Sequence, residues 1–210
     1  MRSKKKRSDP SRLCVIIDCG ILDEKKAIGV SRAAAKAGCD MLQLRCKEMD
    51  ILKAIKIARV IKTIALRQGI PLVINDRAEV AAAIGAHGLH IGRGDISAEL
   101  AGRILKNGSI IGVSVRTLSE ARSARGAQAD YIGVGPVFKT PIKEMSGTIG
   151  IKILKKIRSL GVPLFAIGGI DSNNIGTLVS NGFRNIAVIR AVLMAEDPFR
   201  ATLGLKEALS

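Results

Sequence analysis

The stretch Leu72-Val73-Ile74-Asn75-Asp76 is a short apolar run of strand type that stops at a polar pair. A similar run at 88–91 is followed by a polar cluster that contains Asp95. If the two runs are neighbouring parallel strands, their acidic residues lie at the same end of the sheet. A hard cation such as Mg²⁺ takes oxygen ligands, and typically one or two carboxylates hold it while phosphates and waters complete its shell. The two stretches therefore predict a metal site at Asp76 and Asp95.

Outward from this stretch, the chain alternates between strand-type runs and helical segments. The predicted strands are 13–17, 41–45, 72–74, 88–91, 110–114, 131–134, 162–167 and 186–189. The predicted helices are 23–37, 50–68, 78–84, 97–106, 117–126, 150–160, 171–182 with Asp171 as its cap, and 198–209. Eight strand–helix units in strict alternation imply a parallel sheet, and eight strands close a (β/α)8 barrel. We therefore predict the α/β class and a single (β/α)8 TIM barrel, with a doubly wound open sheet as the alternative.

The charge balance predicts a basic N-terminal arm, disordered over residues 1–11, before a catalytic barrel domain at 12–210. The chain of 210 residues has a formal net charge of +16, which suits phosphorylated small molecules, nucleic acid or an anionic membrane surface. Nucleic acid is disfavoured, because aromatic residues make up only 2% and no RNP-like or zinc-finger pattern occurs. A membrane partner is not predicted either, since no run approaches the roughly 18 apolar residues of a spanning helix.

The four cysteines form no CxxC pair, and no histidine follows them at ligand spacing. Free thiols in a reduced cytoplasm are favoured over disulfides or zinc. The sequence therefore predicts a cytoplasmic location, and a homo-oligomer is one option for its assembly.

In a barrel of this kind, functional residues gather at the carboxyl ends of the strands. Two acids among several bases there suggest a Mg²⁺-bound diphosphate surrounded by cations. Simpler interpretations stay open: Asp76 could cap the next helix, and Gly168-Gly169 could be only a turn. Neither His87 nor His90 is given a role. The candidate residues, in chain order, are Gln43, Arg45, Lys47, Asn75, Asp76, Asp95, Ser114, Thr140, Lys143, Gly168, Gly169, Ile189 and Arg190.

Six motifs at these strand ends resemble those of thiamine-phosphate synthase, over about residues 13–200. They are QLRCK at 43–47, IND at 74–76, GLHIG at 88–92 with Asp95, GVS at 112–114, GVGPVF at 133–138 with Thr140 and Lys143, and AIGGI at 166–170. The resemblance implies a (β/α)8 barrel that joins 4-amino-2-methyl-5-hydroxymethylpyrimidine diphosphate to hydroxyethylthiazole phosphate. It implies a dissociative reaction, in which diphosphate leaves before the thiazole nitrogen attacks.

The resemblance also implies a role for each matching position. Asp76 and Asp95 would hold Mg²⁺, and Arg45, Ser114 and Lys143 would act in catalysis. The pyrimidine diphosphate would be bound by Gln43, Arg45, Lys47, Asn75, Ser114 and Lys143. The thiazole phosphate would be bound by Thr140, Gly169, Ile189 and Arg190.

Three positions depart from the family pattern. Ile142 and Arg190 stand where the family usually has hydroxyl side chains, and Arg116 stands where it usually has a histidine. Arg190 is expected to offer the phosphate a charge-assisted contact instead. Two alternatives share the fold: a thiazole tautomerase, which relies on the histidine replaced by Arg116, and a phospholigand-binding paralogue without turnover.

Overall fold

The computed structural model describes residues 13–92, 94–139 and 147–210. The predicted arm, residues 1–11, lies outside them, as do Thr140, Ile142 and Lys143. The eight strands are β1 Leu13–Asp18, β2 Met41–Arg45, β3 Leu72–Asn75, β4 Gly88–Ile91, β5 Ile110–Val115, β6 Tyr131–Val134, β7 Leu164–Ile167 and β8 Ile186–Val188. The helices are α1 Glu24–Lys36, α2 Ile51–Arg67, α3 Ala78–Ile84, α4 Ala98–Ile104, α5 Leu118–Gly126, α6 Ile151–Arg158, α7 Ile175–Ser180, α8 Arg190–Leu193 and α9 Pro198–Ala208.

The strands pair in parallel and in chain order, and they form a closed barrel. Closure occurs between β1 and β8, where Val15 lies opposite Val188. The TIM-barrel prediction is confirmed, and the open-sheet alternative is wrong. Closure leaves no strand edge unpaired. The helices cover the outer face of the strands and the interior side chains cover the inner face, which explains the continuous apolar runs in the sequence.

Strand alternation divides the core into two clusters. Alternate residues such as Leu13, Val15 and Ile17 face the surrounding helices, whereas Cys14 and Ile16 face the barrel interior. Inside, the Tyr131 and Phe165 rings pack edge to face with their centroids 5.3 Å apart. By the same alternation, the last inward-facing residue of each strand lies at the carboxyl-end opening, which we call the mouth.

Several helix starts are capped by side chains. Asp50 accepts hydrogen bonds from the backbone of Leu52 and Lys53, and Thr117 and Glu120 form a capping box at the start of α5. The prediction that Asp171 caps α7 is wrong. The helix begins only at Ile175, because the Asp171 carboxylate accepts from the Asn173 N–H in an intervening turn. The four-residue helix α8, directly after β8, was not predicted.

No helix in the described part of the chain is long and apolar enough to cross a bilayer.

Candidate functional site at the mouth of the barrel

A cavity of about 360 Å³ opens at the mouth. We call it the first cavity. Its wall combines polar strand ends with backbone from the glycine-rich segments after β6 and β7. The lining residues are Ile16, Asp18, Gln43, Arg45, Asn75, Asp76, His90, Gly92, Ser114, Val115, Arg116, Gly133, Gly135, Pro136, Ile167, Gly168 and Ile189.

An ion pair between the first two strands positions one cation in this wall. Arg45 Nη1 lies 2.8 Å from Asp18 Oδ2, and the other carboxylate oxygen, Oδ1, accepts from the Gly20 N–H at 2.9 Å. The Asp18 side chain is almost fully buried, whereas that of Arg45 is 35% exposed. A planar guanidinium held from behind in this way keeps part of its donor fork open for an anion. Arg45 is therefore pre-oriented rather than freely mobile.

A hydrogen-bonded chain of side chains crosses the floor of the cavity. His90 Nε2 lies 2.9 Å from Ser114 Oγ, and His90 Nδ1 lies 2.9 Å from the Tyr131 hydroxyl. Gln43, itself buried, also hydrogen-bonds to Tyr131. Burial lowers the pKa of His90 to about 4, so the imidazole is neutral at neutral pH. This network of hydrogen-bonded side chains therefore presents the Ser114 hydroxyl and the Gln43 amide to a ligand without adding charge.

Glycine makes room for this chain. A methyl group placed on Gly112 would lie 2.1 Å from Tyr131 Cζ, so the ring can occupy its place only above a glycine. On the next strand, a methyl group on Gly133 would lie 3.1 Å from His90 Cε1. Both glycines occur in the motifs at 112–114 and 133–138, whose small residues thus serve the packing of larger side chains.

The two predicted metal ligands face one point. A methyl group placed on Gly92 would lie 2.9 Å from Asp95 Oδ2 and 3.1 Å from Asp76 Oδ1. Asp95 is fixed by the Gly92 N–H, which donates to its Oδ2 at 2.7 Å. Asp76 has φ +64°, in the left-handed region that few non-glycine residues adopt. The backbone therefore holds both carboxylates at a shared position despite their like charge.

The electrostatics of this acidic pair suit a divalent cation. Burial and the neighbouring Asp95 carboxylate raise the pKa of Asp76 to about 6, while Lys47 and Arg45 act in the opposite direction. Within residues 13–92, 94–139 and 147–210, no group of three or more metal-binding side chains occurs. Two carboxylates and no further protein ligands match Mg²⁺, which usually keeps waters and substrate phosphates in its shell. The residues present therefore fit this ion.

A second cavity, of about 320 Å³, adjoins the first. The two share Ile167, Gly168 and Ile189 as lining residues. Two basic residues, Lys139 and Arg190, also line the second cavity. A molecule in each cavity would therefore meet its neighbour over β7 and β8.

The turn after β7 forms one wall of this second cavity. Gly168 and Gly169 have φ +99° and +67°, and a methyl group on Gly169 would lie 2.4 Å from the Lys139 carbonyl oxygen. Only glycine satisfies both the backbone angle and the close approach. On the opposite side, the N-cap of α8 is Ile189, whose side chain accepts no hydrogen bond from the first turn. Backbone N–H groups at a helix start without a side-chain cap, together with two cations, suit an anionic ligand.

The structure brings most of the predicted site residues together. Five of them line the first cavity alone, namely Gln43, Arg45, Asn75, Asp76 and Ser114. Gly168 and Ile189 line both cavities, and Gly169 and Arg190 line the second. Lys47 and Asp95 are exposed, and each acts electrostatically on Asp76. Thr140 and Lys143 lie outside the described residues.

Among the charged and histidine side chains of the two walls, sequence reasoning gave no site role to Asp18, His90, Arg116, Lys139 and Asp171. The signal for Asp18 was present, because it ends the apolar run of β1 much as Asn75 and Asp76 end that of β3. His90 could have been found from strand alternation, since it lies opposite Asn75 in the pairing of β3 with β4. Lys139 follows the motif at 133–138, and its position depends on the turn at Gly169.

The matched family model is described as thiamine monophosphate synthase, and it covers residues 13–192. Thiamine-phosphate synthase from Prochlorococcus marinus is 39% identical over 173 residues, which cover 82% of this chain and 50% of that protein. The chain thus spans half the length of that relative. Thiamine-phosphate synthase from Chloroflexus aurantiacus is 37% identical over 201 residues, which cover 95% of this chain and 93% of that protein.

A solved structure, thiamine phosphate pyrophosphorylase from Pyrococcus furiosus, superposes with a TM-score of 0.86. It is 33% identical, and the match covers 96% of each chain. The motifs at the strand ends, the closed barrel and these matches agree. The chain belongs to the thiamine monophosphate synthase family.

Proposed function

We propose that the chain is a thiamine-phosphate synthase. It couples 4-amino-2-methyl-5-hydroxymethylpyrimidine diphosphate to hydroxyethylthiazole phosphate, forming thiamine phosphate and releasing diphosphate. The observation that carries the proposal is the pair of adjoining cavities at the mouth, which share Ile167, Gly168 and Ile189. One has an acidic pair beside cations and the other has a glycine turn beside cations, as two phosphorylated substrates require.

The diphosphate belongs at the acidic pair of the first cavity. Bound Mg²⁺ would neutralise the charge that develops on the leaving diphosphate, and Asp76 and Asp95 are the residues that would hold it. Arg45 is already oriented by Asp18, so it stabilises the same charge without reorganising at the moment of reaction. Lys47 adds a second cation, and Lys143, outside the described residues, is proposed as a third.

The pyrimidine ring belongs on the floor of the first cavity. There Gln43 and Ser114 are held by Tyr131 and His90, and Asn75 offers an amide beside them. These groups are neutral hydrogen-bonding partners for a ring with nitrogen acceptors and an amino donor. No side-chain base is needed, because the attacking thiazole nitrogen already carries a lone pair.

The thiazole phosphate belongs in the second cavity. The Gly168-Gly169 turn and the Ile189–Arg190 segment bring backbone N–H groups to it, and Arg190 and Lys139 bring positive charge. Thr140, which directly follows Lys139, is proposed as a further ligand. Since the two cavities share a wall, the thiazole ring is directed towards the pyrimidine carbon that loses diphosphate.

The test supplies both phosphorylated substrates with Mg²⁺ and measures thiamine phosphate together with released diphosphate. Equal amounts of the two products are expected, and omission of either substrate should abolish both. Tight binding of the pyrimidine diphosphate without any product would contradict the synthase proposal and favour a binding paralogue. Isomerisation of the thiazole substrate alone would favour the tautomerase instead.

Small phosphorylated molecules are the proposed partners, and the cytoplasm is the proposed location. Support for the location comes from the four cysteines, all of which are free thiols.

A further inference from the structure

Two cysteines meet just outside the first cavity. Cys19 follows β1 and Cys46 follows β2, and their Sγ atoms lie 2.7 Å apart. The Cys19 N–H donates to the Arg45 carbonyl at 2.8 Å, so the pairing of the two strands continues to this level. Neighbouring strands lie about 4.8 Å apart, within the range of about 4.4–6.8 Å between Cα atoms that a disulfide needs. A bond between the two sulfurs therefore requires only a small displacement.

The two thiols differ in access and in acidity. Cys19 is partly exposed, whereas Cys46 is buried. The hydrogen bond between the two thiols lowers the pKa of Cys19 and raises the pKa of Cys46. Because the thiolate is the nucleophile in disulfide exchange, Cys19 is suited to attack and Cys46 to resolve.

The other two cysteines have neither property. Cys14 and Cys39 are 1% and 2% exposed. Burial raises the pKa of Cys39 to about 12, and it also raises the pKa of Cys14. They therefore serve as internal controls for thiol chemistry at the mouth.

The cysteine pair is connected to both halves of the diphosphate site. Cys19 and Cys46 directly follow Asp18 and Arg45, whose ion pair lines the first cavity. On the other side, Arg77 Nη1 donates to the Cys46 carbonyl at 3.4 Å and to the Met49 carbonyl at 2.5 Å. Arg77 is the residue after Asp76. A shift at Cys46 is therefore transmitted to the Arg45 guanidinium on one side and, through Arg77, to the acidic pair on the other.

We propose that Cys19 and Cys46 form a reversible disulfide, and that this bond lowers the enzyme's activity by displacing Arg45. The oxidant is a small-molecule disulfide. The Cys19 thiolate attacks one of its sulfurs and releases one thiolate, and Cys46 then attacks the mixed disulfide, loses its proton and releases the second. Two protein thiols are oxidised and one small disulfide is reduced to two thiols. The effect on activity rests on the proposed function, but formation of the bond does not.

The test treats the full chain with oxidised glutathione and measures free thiols, intact mass and non-reduced peptides. We expect two of the four thiols to be lost, with a linked Cys19–Cys46 peptide and a mass lower by two hydrogen atoms. We expect kcat/KM to fall about tenfold or more, because ångström-scale misplacement in an active site has effects of that size, and to recover with dithiothreitol.

The controls separate this pair from the other cysteines. Cys39→Ala should still form the bond and lose activity, whereas Cys19→Ser should stay active under the oxidant. Cys46→Ala should stop at a glutathione adduct on Cys19, because no second thiol remains to release the glutathione. In the unaltered chain, a glutathione adduct at Cys19 with no Cys19–Cys46 link would overturn the proposal, as would a linked protein with unchanged kcat/KM. If the reduced protein makes no thiamine phosphate, the proposed function fails, while the thiol measurements still decide whether the bond forms.

Discussion

At the scale of single residues, Asp76 combines an unfavourable backbone conformation with an unfavourable charge contact. Its backbone has φ +64°, and its carboxylate lies beside that of Asp95 in a half-buried position. A non-glycine residue in the left-handed region costs on the order of 1 kcal/mol or more. Strain and like-charge repulsion at one residue are typical of a position kept for ligand binding rather than for stability.

Removing both negative charges should abolish catalysis. We expect Asp76→Asn combined with Asp95→Asn to lower kcat/KM by about a thousandfold or more, because the charge stabilisation from the metal amounts to several kcal/mol. Asparagine tolerates the left-handed backbone, so the fold should be retained. Steady-state kinetics against Mg²⁺ concentration measure the effect, and retained Mg²⁺-dependent activity would remove the two aspartates from the metal site.

A stability measurement on Asp76→Asn without metal gives a control that does not depend on activity. Since the folded-state pKa of Asp76 is raised to about 6, its ionisation opposes folding above that pH and not below about pH 4. The variant should therefore have a higher Tm than the unaltered chain at pH 7, in the presence of a chelator. The difference should shrink as the pH falls from about 6 to about 4.

His90 predicts a loss of stability in acid. Its pKa is lowered from 6.5 to about 4, so the unfolded chain binds a proton that the folded chain does not. Stability from this group is present above pH 6.5 and is lost as the pH falls towards 4, by about 3 kcal/mol at roughly 1.4 kcal/mol per pKa unit. Denaturant unfolding from pH 7 to pH 4 measures it, in comparison with His90→Gln.

The chain has one other histidine, and it supplies the control. His87 is less buried, and its pKa is lowered by burial and by Lys62. His87→Gln should keep most of the acid sensitivity, whereas His90→Gln should lose the largest part. If the free energy of unfolding falls equally with pH in the unaltered chain, in His87→Gln and in His90→Gln, the neutral, buried state of His90 is contradicted.

Arg190 stands where the family usually has a hydroxyl side chain, and its role can be tested through KM. Because it lines the second cavity, Arg190→Ser should raise KM for the thiazole phosphate about tenfold, with less effect on KM for the pyrimidine diphosphate. The matched control is Arg200→Ser on α9, where the side chain is 86% exposed. An unchanged KM for the thiazole phosphate would show that Arg190 makes no contact with it.

At the scale of elements, the turn after β7 determines the shape of the second cavity. The Val137 and Phe138 N–H groups donate to the carbonyls of Ile167 and Gly168, which ties the segment after β6 to this turn. Gly169 approaches the Lys139 carbonyl so closely that a side chain has no room. The position of Lys139 therefore depends on a glycine one strand away.

Gly169→Ala should disturb this arrangement. We expect a loss of about 1–3 kcal/mol in the free energy of unfolding, from the left-handed backbone and the contact with Lys139, together with a raised KM for the thiazole phosphate. Gly176→Ala in α7 is the matched control, because a methyl group there meets nothing within 4 Å and favours the helix. Equal stability and equal KM in Gly169→Ala and Gly176→Ala would contradict the dependence of the second cavity on Gly169.

At the scale of the whole molecule, the positive charge should attract the anionic substrates. With a net charge of +16, kcat/KM for the pyrimidine diphosphate should fall as ionic strength rises from about 0.05 M to about 0.5 M, because screening shortens the range of the field. The turnover number at saturating substrate should change much less, since Arg45 and the acidic pair lie at short range. A fall in kcat alone would contradict attraction by the field.

The local pattern was sufficient for much of the architecture. Continuous apolar runs predicted the strands, and the run at 72–74 is the strand Leu72–Asn75 in the structure. The predicted helices at 23–37 and 50–68 are each followed directly by a glycine, Gly38 and Gly69, and both glycines have positive φ. The α7 start was misplaced, because a turn separates Asp171 from the helix. In this turn the Asp171 carboxylate accepts from the Asn173 N–H, and the Asn174 side chain donates to the Gly169 carbonyl five residues earlier.

The sequence alone was enough to predict the eight strands and the acids and bases at their ends, because alternation, apolar runs and capping are local properties of the chain. It favoured the barrel over an open sheet, and the tertiary structure decided between them. The tertiary structure was needed to bring His90 between Ser114 and Tyr131, Asp18 behind Arg45, and Cys19 against Cys46. These contacts join different strands of the barrel, so they depend on strand register and closure, which place residues side by side irrespective of their separation in sequence.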